Sequence, residues 1–209
     1  MIKFISLCPH PPILLPYVGS DESRLKLKST IKSLNYLAQK FKKVKPNSII
    51  ISAPHIDWGF NVPLYFLAQN FKEEIKTYLT DFKSPEYYFE QGKEFYSYLK
   101  KDKDYALIGS GDLSHCLKKD GPYGFHSDGP KFDKALIKYL EKKDIEKLLK
   151  LDKIFPHASE CGLRSFCFIL GILETHSKVS GQGWKPKILS YEKPFGVGYL
   201  VAEILITNN

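Results

Sequence analysis

Three runs of this chain are apolar on both faces: residues 2–8, 48–53 and 105–109. They lack the alternation of a half-exposed strand and read as buried strands of a parallel sheet. Between the first two, Leu25, Leu27, Ile31, Leu34, Leu37, Ala38 and Phe41 recur at roughly the helical period as far as Lys43, and Ser20 or Asp21 can cap that helix. Strand, long helix, strand is a βαβ unit, so the first two strands are expected to be parallel neighbours joined by a right-handed crossover. A short buried helix is expected over 61–70 with Pro63 near its first turn, and a weak strand over 75–79. Amphipathic helices are expected over 88–101, 132–140 and 144–151, and another from Glu160 to about Glu174, capped by Ser159. Residues 118–130, rich in Gly and Pro, read as a loop, and strands 187–191 and 198–206 as a hairpin around Pro194-Phe195-Gly196. The expected fold is α/β: a single domain over residues 1–209 whose mixed, partly parallel central sheet is flanked by helices.

Composition narrows the function. With 209 residues and 43% apolar content the chain can bury a sizeable core. The formal net charge is +8, which permits binding to nucleic acid or acidic lipid. Yet only Arg24 and Arg164 are arginines, and base readout and bidentate phosphate clamps favour arginine. Lysines such as Lys40, Lys42, Lys43 and Lys45 gather where a helix should end, complementing its dipole. The expectation is therefore no nucleic acid and no membrane partner. Cys8, Cys116, Cys161 and Cys167 form no C-x-x-C pair. The first residues do not read as a signal peptide, and no apolar stretch is long enough to span a bilayer. A soluble cytoplasmic protein with reduced thiols is expected.

The candidate chemistry lies where the strands end. Ile2–Leu7 leads into Cys8-Pro9-His10-Pro11-Pro12, the second strand into Pro54-His55, and the third into Gly109-Ser110-Gly111-Asp112-Leu113-Ser114-His115. In open α/β sheets ligands bind outside the carboxyl ends of the strands. One histidine there reads as a ring bonded to backbone. Two behind prolines at matched places read as a metal pair, because a ligand only ~2.1 Å from its metal must be held firmly. Glu160 is the candidate third ligand, with the neighbouring Cys161 as an alternative thiolate. Two histidines and a carboxylate suit non-haem Fe(II), and the same set would hold Zn(II). His115 is a fourth ligand or the acid–base group, with Asp112 and Ser114 near enough in sequence to orient its ring. His157 could line the pocket, and Arg164 could bind an acidic substrate group or pair with a buried acid. His126 and His176 read as surface and structural residues.

Six segments then resemble the LigB-type class III extradiol dioxygenase superfamily, nearest to its Memo-like branch: residues 9–12, 52–55, 110–115, 120–125, 160–165 and 190–199. The resemblance spans nearly the whole chain in family order. It implies Fe(II) held by His10, His55 and Glu160, His115 as the acid–base residue with Asp112 beside it, and cleavage of a catechol-type aromatic with O2. It also implies an AMMECR1-like or radical-SAM protein partner and leaves a homo-oligomer open. In part of that branch a cysteine serves where Glu160-Cys161 stands. Two features depart from the family pattern. Asp57-Trp58-Gly59 replaces Asp-His-Gly, and the stretch between His55 and that motif is almost absent. Trp58 could stack on an aromatic ligand or plug the shortened pocket. These departures keep two rivals in play: a hydrolytic or redox metalloenzyme on the same scaffold, and a Memo-like binding protein without turnover.

Overall fold

A computed structural model describes residues 1–208. One six-stranded sheet organises it. Strand β1 (Ile2–Cys8) pairs in parallel with β4 (Tyr105–Ser110), and β4 with β2 (Ser48–Ala53), which pairs in parallel with β3 (Glu74–Leu79). On the far side of β1 lie β6 (Tyr199–Thr207) and β5 (Gly183–Glu192), both antiparallel to their neighbours. The two N-terminal strands are parallel but not adjacent as expected: β4 lies between them. Every residue of β4 is buried, so a central position satisfies its backbone on both sides. Because β1, β4 and β2 run the same way, with Cys8 opposite Ser110 and Ser52 opposite Gly109, the three strands finish together at one edge.

Neighbouring residues of each central strand feed opposite cores. Phe4, Ile49, Ile51, Ala106 and Ile108 pack under helices α2 (Lys28–Val44) and α3 (Trp58–Leu67). Ile5, Leu7, Ile50 and Leu107 pack under α4 (Pro85–Phe95), α5 (Asp128–Lys142) and α8 (Leu163–Ser180). Where α4 crosses α8, a Cβ on Gly92 would lie 2.0 Å from the Phe168 carbonyl, and one on Gly171 would lie 2.0 Å from that of Phe89. Only glycine lets the two backbones meet so closely. No helix among the described residues is long and apolar enough to cross a membrane.

Several boundaries differ from the sequence pattern for local reasons. Ser20 caps a separate short helix, α1 (Asp21–Leu25), before α2 begins at Lys28. Helix α4 starts at Pro85 because Ser84 accepts from the Tyr87 amide and proline suits the first turn. It ends at Phe95, and a 3₁₀ turn over Tyr96–Tyr98 follows. The stretch 144–151 yields two short helices, α6 (Ile145–Leu148) and α7 (Leu151–Ile154), rather than one. Helix α8 begins at Leu163, not at Glu160, so Ser159 caps nothing. The Glu160 carboxylate itself accepts from the Leu163 amide at 2.7 Å.

The loop after β4 is fastened to the β5–β6 turn. Leu113 N–H donates to Gly198 and Gly198 N–H to Ser114. Asp133, on α5, accepts from the Ser114 amide at 2.8 Å and from the Tyr191 hydroxyl at 2.5 Å. Burial drives the Asp133 carboxyl up to about 7 from its ordinary 3.8. A carboxyl that holds its proton more tightly when folded favours the fold at low pH. Its contribution is lost as pH rises from about 4 through about 7. Asp133→Asn can keep the bond from the Ser114 amide, turns the Tyr191 contact round so that the side-chain amide donates to the hydroxyl, and cannot ionise. It should flatten that part of the stability–pH curve and raise the urea midpoint at pH 8 above that of the unmodified protein.

Candidate metal centre

His10 leaves β1 and His55 leaves β2, and their rings meet edge to face with centroids 5.3 Å apart. The third donor there is sulfur. Cys161 Sγ lies 3.5 Å from His10 Nε2, and donor atoms of His10, His55 and Cys161 all fall within 4.8 Å of one another. Cys161 reaches the imidazoles because two glycines touch. A Cβ on Gly111 would lie 2.1 Å from the Gly162 Cα. That contact lets the Cys161 and Gly162 amides both donate to the Asp112 carbonyl, at 3.3 and 2.9 Å. Ser165, in the first turn of α8, completes the docking. Its hydroxyl donates to the Ser52 carbonyl and accepts from the Ser110 amide.

A chain of hydrogen bonds decides which nitrogen of His10 faces the cluster. Pro63, inside α3, has no N–H to give the carbonyl four residues before it, which is Gly59. That free carbonyl takes the hydroxyl proton of Ser110. Ser110 Oγ lies 3.0 Å from His10 Nδ1 and, its own proton spent, can only accept there. Nδ1 therefore carries hydrogen, and the Nε2 lone pair points toward Cys161. Burial, then the charge of His55, pushes the His10 imidazole down to about 3, which keeps it neutral. Burial, then the charge of Asp112, holds the Cys161 thiol well above its ordinary range. A cation among these donors would reverse that by stabilising the thiolate. Two neutral imidazoles and a thiolate form a donor set that fits a divalent transition metal.

His115 is oriented by backbone. The Ser159 carbonyl accepts from both the His115 amide, at 3.2 Å, and ring Nδ1, at 2.5 Å. A carbonyl cannot donate, so Nδ1 bears the hydrogen and Nε2 is a free base. Ser159 adopts φ of 51°, a left-handed conformation that is uncommon outside glycine and that aims this carbonyl. Burial lowers the His115 imidazole below its ordinary range. Among the described residues Asp112 makes no hydrogen bond to that ring, although its place in the sequence suggested that it would orient it, and it lies close enough to act on it by charge. Its Oδ1 accepts from the His10 amide at 2.9 Å, and burial raises its carboxyl to about 6. A carboxylate oxygen of Asp112, a ring nitrogen of His115 and Cys161 Sγ also lie within 4.8 Å of one another. Ser114 bonds instead to the Ala158 carbonyl.

Glu160, the third ligand expected from the sequence, stands apart from the imidazoles. Its carboxylate pairs with Arg164 at 2.9 Å and caps α8, and it belongs to no group with the imidazoles among the described residues. Residues just ahead of a helix do not follow helical spacing, so Glu160 and Cys161 turn to different sides of the loop. Arg164 does not face the cleft either. It spans Glu160, Asp152 and the Lys83 carbonyl. His157 packs on His126 with centroids 4.8 Å apart, away from the pocket wall. Trp58 does line the cleft, 42% exposed. The cleft holds about 430 Å³ and is walled also by Tyr123 and Tyr199. Neither those two tyrosines nor Ser110 and Ser159 were read from the sequence as site residues. Ser110 alone carried a signal, a hydroxyl at the end of a buried strand.

Fold and site together define a class: an α/β protein with a candidate divalent-metal site at the carboxyl edge of its parallel strands. The chain belongs to the LigB family. Residues 55–202 match the model of the catalytic LigB subunit of aromatic ring-opening dioxygenase, a span that begins at His55 and leaves His10 outside. Protein CA_C1420 of Clostridium acetobutylicum is 30% identical over 281 aligned positions, which cover 97% of this chain and 57% of that protein. The alignment is longer than the 209 residues here, so that relative carries residues inside the matched span with no counterpart in this chain. The solved structure of uncharacterized protein JW3007 from Escherichia coli K12 has a TM-score of 0.63 at 12% identity, covering 96% of this chain and 99% of the other. That likeness is one of fold.

Two substitutions separate the candidate third ligands. Cys161→Ser should weaken Zn(II) binding by more than the roughly 10–100-fold typical of outer partners, read by competition with a chromogenic chelator. Glu160→Gln should leave that affinity within a few-fold and lower the melting temperature instead. Ser110→Ala frees the His10 tautomer and should itself cost roughly 10–100-fold in the same titration.

Proposed function

We propose that this chain is a non-haem metal-dependent dioxygenase of the extradiol type, acting on a catechol-type aromatic, with His10, His55 and Cys161 as the ligands. The observation that carries this reading is a compact donor set whose two imidazoles line an aromatic-walled cleft, with the free Nε2 of His115 on the same edge. When bound there, Fe(II) would bring diol and O2 together and carry electrons between them. The residues of the chain do the rest. His115 Nε2 takes a proton from a diol hydroxyl, while its Nδ1–H stays fixed on the Ser159 carbonyl. A depressed basicity makes that base neutral and ready at neutral pH. Asp112 fixes the His10 backbone and adds negative charge beside the base, which favours the imidazolium after proton transfer. Trp58, Tyr123 and Tyr199 supply ring faces for an aromatic substrate.

A second reading rests on the sulfur. A thiolate in place of a carboxylate makes the set softer and suits Zn(II). With Zn(II) the same His115 would serve hydrolysis, or the cleft would bind a ligand without turnover, alone or with an AMMECR1-like or radical-SAM partner.

Oxygen uptake by anaerobically purified, Fe(II)-reconstituted protein with simple catechols tests the first reading. Uptake stoichiometric with diol loss, and a yellow ring-opened product, is the expected result. His115→Ala should lower kcat roughly 10²–10⁴-fold while diol binding persists. Zinc as the metal retained on purification, with no uptake for any diol, would favour the second reading.

A further inference from the structure

Lysine and arginine number 31 in this chain, yet among the described residues none lines the cleft. Among the described residues its carboxylates and formal charges, histidines aside, are Asp57 and Asp112. Arg164, the one arginine near the site in sequence, has its guanidinium engaged by Glu160, Asp152 and the Lys83 carbonyl. Lys118 is held by Asp120 at 2.9 Å. A carboxylate-bearing substrate would thus find no cationic side chain in the pocket wall.

The mouth of the cleft has the opposite character. Asp57 is exposed, and its side chain does not cap α3 although it stands at the cap position. Beside it Trp58 is 42% and Tyr123 64% exposed. Elsewhere lysine ammonium groups sit over the rings of Tyr36, Tyr87 and Trp184. Among the described residues no lysine covers Trp58, Tyr123 or Tyr199. An uncommitted carboxylate beside open indole and phenol faces is a setting that attracts an organic cation.

Resting on the extradiol reading above, we propose that the cleft selects aromatic diols whose side arm is uncharged or ends in an ammonium, and rejects those whose arm ends in a carboxylate. The diol itself is common to all such substrates, so its attraction to the metal cancels in the comparison. What remains is the arm at the mouth. An ammonium gains the Asp57 charge and an aromatic face. A carboxylate meets Asp57 as a like charge and leaves water without a partner.

Three catechols with arms of matched length test this on Fe(II)-loaded protein: dopamine, 4-ethylcatechol and 3-(3,4-dihydroxyphenyl)propionate. Calorimetry under argon should give dopamine the lowest Kd and the propionate a Kd about tenfold higher, from one exposed ion pair and one cation–π contact. The gap should shrink in 1 M salt, narrow in Asp57→Asn and invert in Asp57→Lys. Propionate binding as tightly as dopamine overturns the proposal. So does a gap that Asp57→Lys leaves unchanged, or the failure of all three diols to bind. Oxygen uptake is then read on the same samples. The expected charge order without any uptake would end the ring-cleavage reading alone and leave the charge selection standing.

Discussion

The contact between Gly111 and Gly162 is the constraint on which the site depends. Two backbones from distant parts of the chain touch there with no side chain between them. One belongs to the end of the central strand, the other to the start of the longest helix. Their closeness puts Cys161 beside His10, lets the Asp112 carbonyl take both Cys161 and Gly162 amides, and seats Ser165 against β2 and β4. A methyl group at either glycine would move α8 outward and carry the thiol away from the imidazoles. The hydrophobic core supplies the energy of packing, but this small gap sets the geometry that any bound cation would experience.

A second layer of control is polar and starts from a residue with nothing to donate. Pro63 leaves the Gly59 carbonyl free, Gly59 takes the Ser110 proton, and Ser110 dictates the tautomer of His10. On the other side a backbone carbonyl, that of Ser159, does the same for His115. The two imidazoles are thereby fixed in complementary ways: one Nε2 points to the donor cluster, the other stays available for a proton. Buried networks of this kind are useful only when every member is satisfied, and here each proton has a definite owner.

Much of this was legible in the chain. Apolar runs without alternation announced a parallel sheet, and prolyl-histidines behind two of them announced the edge where chemistry would gather. Strand order was not legible, because β1, β2 and β4 are equally apolar and nothing local says which lies in the middle. The choice between the two candidate third donors was not legible for a reason of the same kind. Glu160 and Cys161 are adjacent, and only the true start of α8, two residues later, decides which side chain turns inward. The Ser159 carbonyl left no trace in residue identity at all, since any residue carries one. Long-range backbone proximity, such as that between the two glycines, is invisible to pattern reading until the fold has brought the segments together.

The central place of β4 has a kinetic consequence. The arms bearing both prolyl-histidines leave strands hydrogen-bonded on each side, β1 between β4 and β6, β2 between β3 and β4. Such strands open only when the whole domain does. The cysteine rides instead on the segment ahead of α8, held to the end of β4 through the Asp112 carbonyl. The imidazole pair is therefore the permanent half of the site, and it is also the half that lines the cleft, so a cation would enter and leave past His10 and His55.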